Sequence, residues 1–247
     1  MIIRVSAISY LNTIPFVYGL KNHKVSKMIG LQYSSPGAAA ADLLEGRSDL
    51  GIVPSVIVPK LGIDKIVSDF CISAVNNVAS VLICSNVPLE QIDLLHLDSD
   101  SRTSVMLTKI LCRRYWKIAP RYISYDSSKG DPESNASYLL IGDKALKFSA
   151  RYNYVYDLAI EWYNFTNTPF VFACWASNQD LDPGFLTQFN QALSYGVNNI
   201  EAAVDSIPHQ FERNFAVKYL KNNISFKLTP EKREGLSLFW NLSKLEY

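Results

Sequence analysis

A chain of 247 residues with 48% apolar and 12% aromatic side chains has the material for one large or two small domains around a substantial core. Its 24 basic and 23 acidic side chains leave a net charge of +1 with no run of like charge, which argues against nucleic acid or an anionic membrane as partner and leaves a small molecule. Arg4 interrupts the apolar start, which leads into polar residues instead of a cleavage site, and no stretch approaches the roughly 20 apolar residues of a membrane span, so the sequence predicts a cytoplasmic protein.

Residues 2 to 8 read as a buried strand. The uncharged cluster Ser9-Tyr10-Leu11-Asn12-Thr13 follows, then a short helix over residues 13 to 20 with Pro15 near its start and Gly19 near its end. Residues 31 to 33 form a short strand, Ser35-Pro36 an N-cap and helix-starting proline, residues 38 to 45 a helix, and Gly46 its stop. Residues 50 to 53 give a third strand ending at Pro54-Ser55. Strands alternating with helices predict a parallel α/β sheet.

Two β-like segments, 66 to 74 and 79 to 84, flank the polar turn Val75-Asn76-Asn77. A second α/β pattern comes next: strand 94 to 97, helix 102 to 115, strand 122 to 124, loop 125 to 135, strand 138 to 141 and a helix from about residue 143. Ser127-Ser128-Lys129-Gly130-Asp131-Pro132 is the segment expected to be most mobile. After a buried strand over 170 to 176 the chain reads as helical. Asp182-Pro183 caps a helix with Phe185, Phe189, Leu193 and Val197 on one face, Phe211, Phe215 and Tyr219 share a face of the next, and Thr229-Pro230 starts the last. The pattern predicts a type II periplasmic-binding-protein-like α/β fold, with two α/β lobes joined by a two-strand hinge and a central cleft. Lobe I is expected to hold residues 1–87 and 169–247, including the C-terminal helices, and lobe II residues 88–168, with crossings near 84 to 90 and 168 to 178.

Ligands of open α/β sheets bind at the carboxyl ends of strands. Ser9, Tyr10, Asn12 and Thr13 stand at such an end, either as plain caps of the first helix or as site residues; Asn12 offers a donor and an acceptor without charge. Ser101, Arg102, Thr103 and Ser104 bring hydroxyls, a guanidinium and free N–H groups to a helix start suited to an anion, although a serine N-cap without a ligand is common. Ser55 and Ser80 extend the polar lining. Asp143 is the one carboxylate near a strand end, and it reads more readily as an N-cap than as a catalytic group. Cys71, Cys84, Cys112 and Cys174 are expected as buried hydrophobes without disulfides, and with His23, His96 and His209 isolated no metal is expected. No phosphate loop, dinucleotide fingerprint or nucleophile elbow is present, which disfavours a nucleotide or covalent-serine enzyme.

Ser9-Tyr10-Leu11-Asn12-Thr13, Leu44-Glu45-Gly46-Arg47-Ser48-Asp49 with Val53-Pro54-Ser55, Ala79-Ser80-Val81-Leu82, Leu97-Asp98 with Ser101-Arg102-Thr103-Ser104, Leu140-Ile141-Gly142-Asp143-Lys144 and Tyr156-Asp157-Leu158-Ala159 occur in an order that resembles the chorismate dehydratase family of the futalosine route to menaquinone. One departure is Cys84-Ser85-Asn86, where the family leads one to expect a basic third residue. The resemblance implies dehydration of chorismate to 3-[(1-carboxyvinyl)oxy]benzoate with no metal or redox cofactor. It implies Asn12 and Ser80 as catalytic residues, the first orienting the reacting part of the substrate and the second binding or assisting the departing hydroxyl. Ser9, Tyr10, Thr13, Ser55, Ser101, Arg102, Thr103, Ser104 and Asp143 would bind substrate. The proton acceptor is either Asp143 or, preferably, a carboxylate of the substrate itself. The alternative is a cytosolic solute-binding protein of the same fold that captures a small carboxylate without chemistry.

Overall fold

A computed structural model describes residues 2–126, 130–133 and 135–246. Ser127, Ser128 and Lys129 of the loop expected to be mobile lie outside the described residues. The chain divides into two compact units, Met1–Ser73 with Val171–Thr229 and Ala74–Phe170 with Pro230–Tyr247.

The first unit is built on a sheet of β1 (Ile3–Ile8), β2 (Ile29–Ser34), β3 (Leu50–Pro54), β4 (Ile66–Ala74), β10 (Phe170–Ser177) and β11 (Ser225–Lys227), in the order β11-β4-β10-β3-β1-β2. β1, β2 and β3 are parallel, as alternation with helices requires, and β10 joins β3 antiparallel with Ala173 opposite Pro54. Ser35 caps α2 (Pro36–Leu44) by accepting from Ala38 N at 3.4 Å, and Asp182 caps α7 (Pro183–Asn198) by accepting from Phe185 N at 2.8 Å, both where the sequence puts a cap before a proline. The core gathers around the ring of Phe16, which meets those of Phe226, Trp175 and Phe70 edge-on at 5.3, 5.8 and 6.2 Å.

The second sheet has the order β7-β6-β8-β5-β9, with β5 (Val81–Ser85), β6 (Leu94–Asp98), β7 (Arg121–Tyr125), β8 (Ser137–Ile141) and β9 (Tyr154–Asp157). Its helices are α4 (Arg102–Ile110), which runs on into a π-helical stretch over Leu111–Trp116, α5 (Gly142–Phe148), α6 (Leu158–Thr166) and α10 (Pro230–Ser243). Two expectations about the lobes are corrected here. Residues 74–87 belong to the second unit, not the first, because β5 pairs with β8 on one side and β9 on the other. The last helix also belongs there: Phe239 closes an aromatic cluster with Phe170 at 5.0 Å and Trp162 at 6.1 Å. The chain therefore changes unit three times, after residues 73, 170 and 229.

One smaller reading changes. Phe211 precedes the helix α9 (Arg213–Asn222), whose buried residues are Ala216, Tyr219 and Leu220, while Phe215 is exposed and stacks on Phe211 at 5.6 Å. The first helix, expected over residues 13 to 20, is α1 (Ile14–Asn22), with Gly19 near its end. A Cβ on Gly19 would stand 2.0 Å from Ala192 O, and one on Gly196 would stand 1.8 Å from Pro15 O, so both glycines exist to let α1 and α7 touch backbone to backbone. All four cysteines are buried thiols outside any disulfide, and burial pushes the Cys84 thiol up to about 12 and that of Cys112 to about 11.

Gly19→Ala or Gly196→Ala should cost about 2–3 kcal/mol, since the clashing atoms are backbone and the helices must part. Gly130, with nothing near its would-be Cβ, should accept alanine within about 0.5 kcal/mol. Urea unfolding midpoints of the three variants check this.

Candidate functional site

In the first unit the parallel strands β1 and β3 end side by side, which brings Ser9 to Thr13 and Ser55 to one edge of that sheet. After Ile8 the chain makes a 3-10 turn over Leu11–Thr13 before α1 begins. Thr13 is the buried pin of this turn. Its hydroxyl bonds the Ile8 and Tyr10 carbonyls, the latter at 2.8 Å, and its N–H donates to Tyr10 O at 3.0 Å. Ser9 is exposed, and Tyr10 and Asn12 are half-buried. Among the described residues no hydrogen bond engages the Asn12 carboxamide, so its donor and acceptor stay available on a turn that is otherwise closed. The Ser55 hydroxyl, fully buried, donates to Val171 O at 2.8 Å and ties the end of β3 to β10.

In the second unit β6, β7 and β8 run parallel, and β5 runs antiparallel to β8 and to β9. The carboxyl ends of β6, β7, β8 and β9 and the beginning of β5 therefore share one edge. That edge collects Ser80, the start of α4 at Ser101 to Ser104, and Asp143 from stretches up to 63 residues apart in sequence. Ser80, without solvent exposure, lies opposite the start of α5: Gly142 N donates to Ser80 O at 2.7 Å. Gly142 takes a φ of +54° there, a left-handed turn that glycine enters at no steric cost.

Ser101 occupies the N-cap position of α4, but its hydroxyl makes no capping bond, while Thr103 and Ser104 are buried in the first turn and Arg102 is exposed. The turn before it is shaped by the buried Asp98, whose carboxylate accepts from Asp100 N at 3.0 Å while Asp98 O accepts from Ser101 N at 3.2 Å. Asp143 is not an N-cap as the sequence suggested. Ile141 holds that position in extended conformation without a side-chain bond, and Asp143, half-buried, is the second residue of α5.

The local sequence signals assign no role to Asp157. It ends β9, caps α6, and its carboxylate accepts four backbone N–H groups: Ala79 at 2.7 Å, Ala159 at 3.0 Å, Val78 at 3.2 Å and Ile160 at 3.4 Å. Burial holds this carboxyl above the usual carboxylate range, and the four donors oppose that by favouring the charged form. An aspartate one residue before a helix is a readable cap signal, but its second set of partners, 78 and 79 residues earlier, is not local.

The predicted site residues thus form two groups: Ser9, Tyr10, Asn12, Thr13 and Ser55 on the first unit, and Ser80, Ser101 to Ser104 and Asp143 on the second. Among the described residues no helix is long and apolar enough to cross a membrane.

A family model described as menaquinone biosynthesis matches residues 3–244. A chorismate dehydratase of Thermus thermophilus is 29% identical over 202 residues, which span 68% of this chain and 72% of that protein. Among solved structures, a protein from Archaeoglobus fulgidus superposes with a TM-score of 0.76 at 10% identity, covering 99% of this chain and 97% of its own. The periplasmic aliphatic sulphonate binding protein of Escherichia coli does so with a TM-score of 0.61 at 13% identity, covering 99% and 86%. At these identities the structural matches establish the fold, which is that of periplasmic binding proteins.

Thr13→Val keeps the β-branched shape and removes the hydroxyl that closes the first turn. It should lower stability by roughly 1–3 kcal/mol, because buried carbonyls lose their donor. Thermal and urea unfolding of the variant measure this.

Proposed function

The chain belongs to the menaquinone biosynthesis family, and we propose that its reaction is the dehydration of chorismate to 3-[(1-carboxyvinyl)oxy]benzoate. The identity to the Thermus thermophilus enzyme supports this reading. The observation that carries it is the gathering of Ser80, the uncapped hydroxyl of Ser101 at a helix start, and Asp143 at one edge of the second sheet.

The chemistry asks little of titrating groups. Chorismate is a dicarboxylate, and losing the C3 proton and the C4 hydroxyl releases one water and aromatises the ring, so the driving force is in the substrate. What the protein must supply is placement of the C–H bond and stabilisation of negative charge. The start of α4 offers N–H groups and the Ser101 hydroxyl to a carboxylate. The Asn12 carboxamide orients the reacting part of the substrate, donating from its nitrogen and accepting at its oxygen. Ser80 hydrogen-bonds the departing hydroxyl. The C3 proton passes to a carboxylate of the substrate itself, with Asp143 as the competing acceptor. A capture protein of the same fold needs the anion site and not the Asn12 donor, which separates the two readings.

Incubating the purified protein with chorismate should yield the carboxyvinyloxybenzoate, with the mass of one water lost, detected by mass spectrometry; binding without conversion favours the capture protein. Asn12→Asp, nearly isosteric, should lower kcat about a hundredfold, since the amide donor is replaced by a charge that repels a dianion. Asp143→Asn should keep its turnover. An inactive Asp143→Asn that folds and still binds chorismate would instead make Asp143 the general base.

Ser101→Ala should raise KM about tenfold at nearly constant kcat, the size expected when one hydrogen bond to a charged group is removed. Steady-state kinetics on the variant decide whether the helix start takes part.

A further inference from the structure

The backbone immediately before Ser80 is held in an unfavourable conformation. Ala79 has φ +59°, a left-handed value that a residue with a Cβ adopts at a cost. Something must hold it there, and the contacts say what does. The Asp157 Oδ2 atom accepts from Ala79 N at 2.7 Å, and Oδ1 accepts from Val78 N at 3.2 Å, so one carboxylate spans the two peptides that set the direction of the chain entering Ser80. From the other side Gly142 N donates to the Ser80 carbonyl at 2.7 Å. Ser80 is thus clamped between the end of β9 and the start of α5.

We propose that Asp157 is a positioning residue for Ser80, holding Ala79 in the left-handed conformation that aims the Ser80 side chain, in addition to capping α6. This rests on the reading of Ser80 as a group that touches the substrate. A plain helix cap would need only the bonds to Ala159 and Ile160, which come from Oδ1. Oδ2 belongs to the turn alone, and a left-handed alanine is the conformation that would relax without it.

The division of labour between the two oxygens makes the role separable from capping. Asp157→Asn can keep its oxygen on the α6 side and present its NH2 group to Ala79 N–H, a donor facing a donor. Adding Ala79→Gly removes the steric reason for the turn to relax, because glycine populates left-handed φ readily.

The test compares wild type, Asp157→Asn, Asp157→Asn with Ala79→Gly, Ser80→Ala and the Ser80→Ala/Asp157→Asn pair. Asp157→Asn should lose about tenfold in kcat with KM within twofold, the glycine should restore at least a third of the wild-type rate, and the pair should be no slower than Ser80→Ala alone. Full activity in folded Asp157→Asn, no recovery with glycine, or losses that multiply in the pair would each overturn the proposal. Amide hydrogen exchange gives a reading independent of catalysis and of the yield of any one variant's activity. Asp157→Asn should speed exchange at residues 78 to 81 but not within residues 161 to 166, and Ala79→Gly should reverse it; faster exchange through α6 alone overturns the proposal. Ser80→Ala with unchanged kcat beside the expected exchange pattern would mean that Ser80 has the wrong role while Asp157 still holds the turn.

Discussion

The second unit's polar edge depends on one strand satisfying both of its backbone faces at once. Val81–Ser85 is buried throughout and has antiparallel neighbours on both sides, with Val81 opposite Ile141 and Leu82 opposite both Leu140 and Asp157. No water is available to a peptide group there, so every N–H and C=O must find its partner in β8 or β9. A slip of one residue would exchange the strand's two faces and unpair one end. The fixed register is what sets Ser80 beside Gly142 and brings the end of β9 back to the residues just before β5. The placement of the polar groups is a consequence of strand pairing, and their chemistry is added to it.

Much of this was legible in the sequence, because some signals are local. Ser35-Pro36 and Asp182-Pro183 announce caps that form as read, and the strands of the parallel blocks follow from apolar runs bounded by turn residues. Strand ends carrying uncharged polar residues pointed to the Asn12 turn and to the start of α4 without any contact being known. The failures share a cause. Whether residues 74–87 belong to the first or the second unit depends on which strands β5 pairs with, and that is decided by residues 138–141 and 154–157. The helix at the chain's end reads as a neighbour of the preceding helices, but its Phe239 is matched to Trp162 and Phe170. β9 itself, Tyr-Val-Tyr-Asp, is half exposed and too short to show a period of two. Gly19 illustrates the same limit, since a glycine late in a helical pattern shows its position but not the second helix pressed against it.

The two polar turns are closed by different side chains, and the difference is chemical. In the first unit the hydroxyl proton of Thr13 is shared between the carbonyls of Ile8, the last residue of β1, and Tyr10 in the turn, a task for a donor. In the second, the surplus is of N–H groups: two from the turn at residues 78 and 79 and two from the start of α6. Only an acceptor with several lone pairs can serve all four, which an ionised carboxylate does and a hydroxyl or carboxamide does not. That is why an aspartate stands at this position, whatever the substrate.

The same four donors bear on the charge that a dianionic substrate would meet. A bare carboxylate at the polar edge would repel it, and burial would strengthen the repulsion. At Asp157 the N–H dipoles converge on the two oxygens and offset much of their field, so the residue can hold the Ser80 turn without working against anion binding.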